Sequence, residues 1–313
     1  METVPFWFAC AGLLAFLVSV TLRTMMWLRM PIHVRWELYP VAHEGKRASY
    51  GGSYLEESEW WKKPREFSIW GEIRVMVPEI LFLVALREHN RKLWYRSFPF
   101  HFGLYLITAG TVLMGGFALM GSQWESAEGF AGVLRMGIIV FGLAGLVLGL
   151  LGAAGLLHRR MTAPELKDFS APADLFNLAV FVAVFSVALS GIVLLGVVEF
   201  FASLTGLIGQ IVKLPFGHAE AQVPGIVGLS VVLMSLLLAY IPLTHMSHFI
   251  GKYFAYHSVR WNDAPNLKGS KQEKVIQEAL GQPVSWSASH IAGDGKKNWV
   301  DVATTMPGEI KDR

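Results

Sequence analysis

Five runs of apolar residues, near 5–27, 98–120, 131–157, 175–198 and 223–250, alternate with segments where charged and aromatic residues gather. Each run is long enough to cross about 30 Å of hydrocarbon, which takes roughly 20 residues of helix. Lipid offers no hydrogen bonds to an open backbone, so such runs fold as helices. The pattern predicts an all-α, polytopic membrane protein built as a five-transmembrane-helix bundle. Gly137, Gly142, Gly145, Gly149 and Gly152 recur through the third run, and small residues at such spacings let helices pack closely. The first run has no basic segment before it and no small-residue cleavage site ahead of a polar domain, so it is expected to remain as a span.

The polar segments orient these helices. Basic residues from Arg23 to Arg96 crowd the segment after the first run, Arg159, Arg160 and Lys167 follow the third, and the C-terminal tail is lysine-rich. The segment GSQWESAEG after the second run has no basic residue, and the long loop after the fourth has only Lys213. The positive-inside rule then predicts an N-terminus outside and a C-terminus in the cytoplasm. The expected organisation is a membrane domain over 1–258, including a cytoplasmic loop over about 29–97, and a cytoplasmic docking tail over 259–313. The loop carries Trp36, Tyr39, Tyr50, Tyr54, Trp60 and Trp61, and its stretch IRVMVPEILFLVALREHNRKLW suits an interfacial amphipathic helix. The tail has too few apolar residues to bury a core of its own.

Composition agrees: 53% of residues are hydrophobic and 16% charged, against about 25% charged in ordinary soluble domains. The lipid bilayer is the expected solvent, and the inner (cytoplasmic) membrane the expected location. The net charge of +3 is small, and no nucleic-acid partner is expected. The single cysteine, Cys10, excludes a disulfide within the chain. An iron–sulfur cluster needs several thiolates, so any cluster belongs to another subunit.

The candidate chemistry lies in histidine. On the charge-derived topology, His101 lies near the cytoplasmic end of the second run and His248 near the same end of the fifth. Ionisable side chains inside a bilayer are costly and usually functional, and two imidazoles facing each other across a bundle suffice to ligate a haem iron. His245, three residues before His248, sits about 60° away around a continuous helix, so either one reaches a haem. The plainer reading makes these interfacial histidines that bond to headgroups or backbone. His33, His43, His158, His218, His257 and His290 read as surface, headgroup or partner contacts. Arg135, near the outer end of the third run, is either a snorkelling arginine or a partner for a haem propionate or a quinone carbonyl.

The segments FHFGLYL at His101 and IPLTHMSHFIGKYFAYHSVRW around His248 resemble the gamma subunit of respiratory nitrate reductase and its relatives. The loop motifs HVRWELYPVAHE, YGGSYLEE and WWKKPRE are similar to membrane subunits of heterodisulfide-reductase-like complexes, including the subunit M type of sulfite-reduction-associated complexes. The resemblance implies haem b on His101 and His248, and a quinol pocket near the outer leaflet with a basic residue nearby. It further implies an electron-transfer subunit, with no catalytic residue of its own, working between menaquinone and a cytoplasmic iron–sulfur subunit of heterodisulfide-reductase-like type. Other membrane subunits or a multihaem cytochrome c subunit are compatible with it. The nitrate reductase family stacks two b haems, and the ligands of the distal one fall on Thr111 and Ser230. Neither residue type ordinarily binds haem iron, so one haem is expected. His245 and His89 are left for a displaced second haem. Two rival readings are a haem-free membrane anchor for a soluble oxidoreductase and a small transporter. The second lacks the internal repeats and interrupted mid-membrane helices that transporters often show.

Overall fold

The computed structural model of the chain describes residues 3–29, 37–40, 68–213, 223–261, 267–285, 291 and 294–305. The motifs YGGSYLEE and WWKKPRE, and HVRWELYPVAHE apart from residues 37–40, lie outside them, as do His33, His43, His218 and His290. Among the described residues the fold is helical apart from one short strand pair, with five helices apolar and long enough to cross a membrane. They are α1 (Val4–Arg29), α4 (Arg91–Leu119), α5 (Gly129–Thr162), α6 (Pro172–Leu195) and α8 (Gly225–Tyr240), the last prolonged by a 3-10 turn to Leu243. Between and after them come α2 (Ile69–Phe82), α3 (Val84–His89), α7 (Val197–Val212), α9 (His248–Val259), α10 (Lys271–Leu280) and α11 (Trp299–Thr304).

Contacts divide the chain into two units, 1–21 with 77–247 and 22–76 with 248–313. In the first, α4 and α5 form the most intimate pair, and their glycines explain why. A Cβ built on Gly103 would lie 2.8 Å from the Gly149 Cα, and one on Gly152 would lie 2.6 Å from the Phe100 Cα. Backbone therefore meets backbone along this seam. Phe100, Phe181, Phe185 and Phe201 fill the core beside it. Gly12 of α1 meets the Ser235 backbone of α8 in the same manner, and Phe6, Leu207 and Val231 form a smaller buried cluster. The end of α2 is tied to α4 by hydrogen bonds: Trp94 Nε1 donates to the Phe82 carbonyl and Tyr105 Oη to the Ile80 carbonyl, each at 2.8 Å.

In the second unit, Gly251 of α9 accepts the Trp27 indole, and the rings of Trp27 and Phe254 lie 5.9 Å apart. Glu37–Pro40 (β1) and Arg260–Trp261 (β2) pair in parallel. Within the tail, α10 is capped by Ser270 and α11 by Asn298.

Two features differ from the sequence reading. The fifth run, expected as one helix over 223–250, breaks after Tyr240 into 3-10 turns at Ile241–Leu243 and His245–Ser247 before α9 begins. Pro242 has no N–H for the helical ladder, and Thr244, with φ −112° and ψ −177°, leaves the helix outright. The loop after the fourth run contains α7. Gly196, with φ 86°, ends α6 and starts it. At 16 residues α7 spans about 24 Å, too short to cross a bilayer, and it buries Phe200, Phe201, Thr205 and Leu207 in the first unit.

Candidate functional site

His101 stands on α4 one turn beyond Ser97. Its Nδ1 lies 2.8 Å from the Ser97 carbonyl oxygen and 3.3 Å from Ser97 Oγ. A carbonyl only accepts, so Nδ1 carries the proton and donates it. In the neutral imidazole the lone pair then resides on Nε2. A backbone carbonyl on the far nitrogen is the usual way a metal-ligating histidine is oriented and made more basic. The turn itself is fixed by packing. Phe100 is buried against Gly152 and Phe181, and its ring lies edge-on to His101 at 5.3 Å. His101 therefore has the tautomer and the rigid support that would suit a histidine holding haem iron.

The other sequence-predicted residues are dispersed. His245 lies in a 3-10 turn, so the angular relation to His248 expected of a continuous helix does not hold. Its Nε2 is 3.5 Å from Asp174 Oδ1, and Arg160 Nη1 holds Asp174 Oδ2 at 3.0 Å. Asp174 also accepts from the Ala171 N–H at 3.1 Å, a carboxylate serving a helix N-terminus. His248 opens α9 with its side chain exposed. His101 and His248 fall in different units. His89 ends α3. Arg135 donates through Nη1 to the Trp124 carbonyl at 2.8 Å and approaches the Glu125 carbonyl at 3.5 Å. Its guanidinium thus braces the turn between α4 and α5.

Thr111 and Ser230, where the resemblance would put the distal haem's ligands, have their hydroxyls bonded back to their own helices. Thr111 Oγ1 donates to the Ile107 carbonyl at 2.9 Å, and Ser230 Oγ donates to the Ile226 carbonyl at 2.8 Å. Hydroxyls bonded back to the i−4 carbonyl are common for Ser and Thr within helices and offer no ligand chemistry to iron.

Residues 86–262 match the family model described as nitrate reductase gamma subunit. This is more than half of the 313 residues. The chain belongs to the nitrate reductase gamma subunit family. The match takes in α4 to α9 and with them His101, Arg135, His245 and His248. No curated protein matches the chain. Membership of the nitrate reductase gamma family makes this a multi-pass membrane subunit of cytochrome b type that carries electrons, with partner subunits in a complex.

Two features of this family member were not read from its sequence. One is α7, whose signal, the apolar run VVEFFASLTGLIGQIV, is present but too short to register as a span. The other is a cavity of about 330 Å³ where α7 meets the C-terminal end of α4, lined among others by Phe117, Trp124 and Lys213. It forms from segments far apart in the chain and has no local pattern.

Proposed function

We propose that the chain is the membrane cytochrome b subunit of a respiratory redox complex, exchanging electrons between menaquinone and a cytoplasmic iron–sulfur subunit of heterodisulfide-reductase-like type. The observation that carries this reading is the His101 ring, whose Nδ1 is tied to the Ser97 carbonyl at 2.8 Å. His101 would hold the haem iron, with His248 as the second ligand by register with the family motif. His245, engaged with Asp174, is the less favoured alternative. Bound haem b supplies one-electron redox chemistry, and the protein sets its orientation and surroundings. The α4 turn at Ser97 fixes the ring that binds, and the buried Phe100 and Phe181 beside it exclude water. The basic loop and tail, in the orientation with the N-terminus outside the inner membrane, present the surface for the iron–sulfur partner. Residues 1–258 are proposed as the haem domain and 259–313 as the docking tail.

The back-bonded hydroxyls of Thr111 and Ser230 support a single haem. Pyridine haemochrome quantification of the purified subunit is expected to give one haem b per chain. Two per chain would overturn the assignment. The reading as a whole is tested by a reduced-minus-oxidised spectrum of membranes supplied with a menaquinol analogue. A b-type α band is expected, and a colourless protein would favour the haem-free anchor.

Arg135 spends its hydrogen bonds on the Trp124 and Glu125 carbonyls. Arg135→Ala is therefore expected to retain quinol oxidation while lowering the stability of the bundle by about 1.5–3 kcal/mol, the order of one lost charged hydrogen bond. Loss of quinol oxidation at unchanged haem content would instead give Arg135 a substrate role.

A further inference from the structure

The cavity at the C-terminal end of α4 has the features of a ligand site. Trp124 is 9% exposed, and its indole N–H is buried without an acceptor among the described residues. Buried donors are nearly always paired, so one that is not calls for a ligand or water. The indole cannot easily swing away to find a partner. Its ring rests against Phe117 at 5.6 Å, and Arg135 holds its carbonyl. The rest of the lining has a graded character. Phe117, Ala118 and Ala202 are apolar, while Gln210 and the exposed Lys213 contribute polar and cationic groups. Gly206 on α7 leaves room, since a Cβ built there would meet nothing within 4 Å.

We propose that this cavity binds one membrane phospholipid, with a glycerol-ester carbonyl accepting from Trp124 Nε1 and the phosphate lying at Lys213. The site lies where the spanning-length α4 ends, beside the end of α7, and the ends of spanning helices meet the interfacial level of ester carbonyls and headgroups. Tryptophan is enriched at that depth because its ring is apolar and its N–H seeks an acceptor. The apolar lining suits the start of an acyl chain, and the lysine suits a phosphate.

Redox distance argues against a quinone as the occupant. Phe117 is 16 residues beyond His101 on the same helix, about 24 Å of rise at 1.5 Å per residue. That is too far for fast electron tunnelling without a relay, and the Thr111 and Ser230 positions provide none. This step rests on the single-haem reading above. The phospholipid assignment is tested by mass and is independent of haem count.

The test is native mass spectrometry of the full-length protein released from detergent, after delipidation and titration with dioleoyl phosphatidylglycerol. The wild type is expected to retain a single lipid. Trp124→Phe is expected to weaken retention about fivefold, the effect of one lost neutral hydrogen bond. Lys213→Gln is expected to weaken it by a similar factor, and Gly206→Val, which puts three carbons into the cavity, to weaken it as well. The b-type spectrum should be unchanged in all three variants. Val133→Ala, on an exposed face of α5, should bind as the wild type does. Equal retention by the wild type and Trp124→Phe would overturn the proposal. So would a retained species of quinone mass whose loss in the variants abolishes haem reduction by quinol.

Discussion

His101→Ala is expected to yield a folded, membrane-inserted but colourless protein, with the b-type α band gone from the reduced-minus-oxidised spectrum. Disturbing a residue that merely orients a ligand typically costs 10–100-fold in metal affinity, and removing the ligand itself exceeds that. Haem content per chain should fall by at least that order. The fold should survive, because the adjoining turn is held by Phe100 against Gly152 and Phe181 rather than by the imidazole. Ser97→Ala is the informative companion. It removes the hydroxyl 3.3 Å from Nδ1 but keeps the backbone carbonyl that fixes the tautomer. It should therefore retain haem with at most a shifted potential. His248→Ala should match His101→Ala, and His245→Ala should not. A band that persists in His101→Ala at full intensity would remove His101 from the ligand set. Equal loss in His245→Ala and His248→Ala, with both proteins misfolded, would point to the passage from the 3-10 turn into α9 as structural, and haem rescue by added imidazole would separate the two cases.

The spans were legible because the signal is long and local. Twenty apolar residues in lipid have one available backbone solution, and α1, α4, α5 and α6 lie where hydropathy puts them. The glycines of α5 were legible too, because their spacing marks one helix face. What failed to show depended on shorter or tertiary signals. The break after Tyr240 turns on Pro242 and Thr244, two residues whose effect hydropathy averages away. It converts the presumed neighbours His245 and His248 into residues of separate elements. Helix α7 was lost because an apolar run of 16 residues is below the length that spans, yet it buries two phenylalanines in the bundle. The Ser97–His101 pair was visible as i and i+4 in the sequence, but the carbonyl that sets the tautomer was not. Trp124 drew no reading within GSQWESAEG, because its neighbours come from α4 and α7.

Gly152→Ala should be the most disruptive single-methyl change in the bundle, and its cause is specific. The added Cβ would lie 2.6 Å from the Phe100 Cα, closer than real contacts allow, and the Phe100 backbone nitrogen is nearer still. A helix backbone cannot rotate aside as a side chain can, so α4 and α5 must separate along their seam. Overpacking typically costs 1–3 kcal/mol, and a backbone clash belongs at about the upper end or beyond it. A domain with about 5–15 kcal/mol of net stability loses much of its margin to that. Phe100 adjoins His101, so haem affinity should fall along with the melting temperature, which a loss of stability elsewhere would not produce. Gly116→Ala on α4 is the control, because a Cβ there meets nothing within 4 Å. It should stabilise the helix by about 0.4–1 kcal/mol, since alanine restricts the unfolded chain and favours the helix. Opposite signs for two Gly→Ala changes in adjacent helices would tie the effect to the α4–α5 seam rather than to helix propensity. A neutral Gly152→Ala, measured by thermal unfolding in detergent and by haem retention, would mean that the two backbones do not meet there.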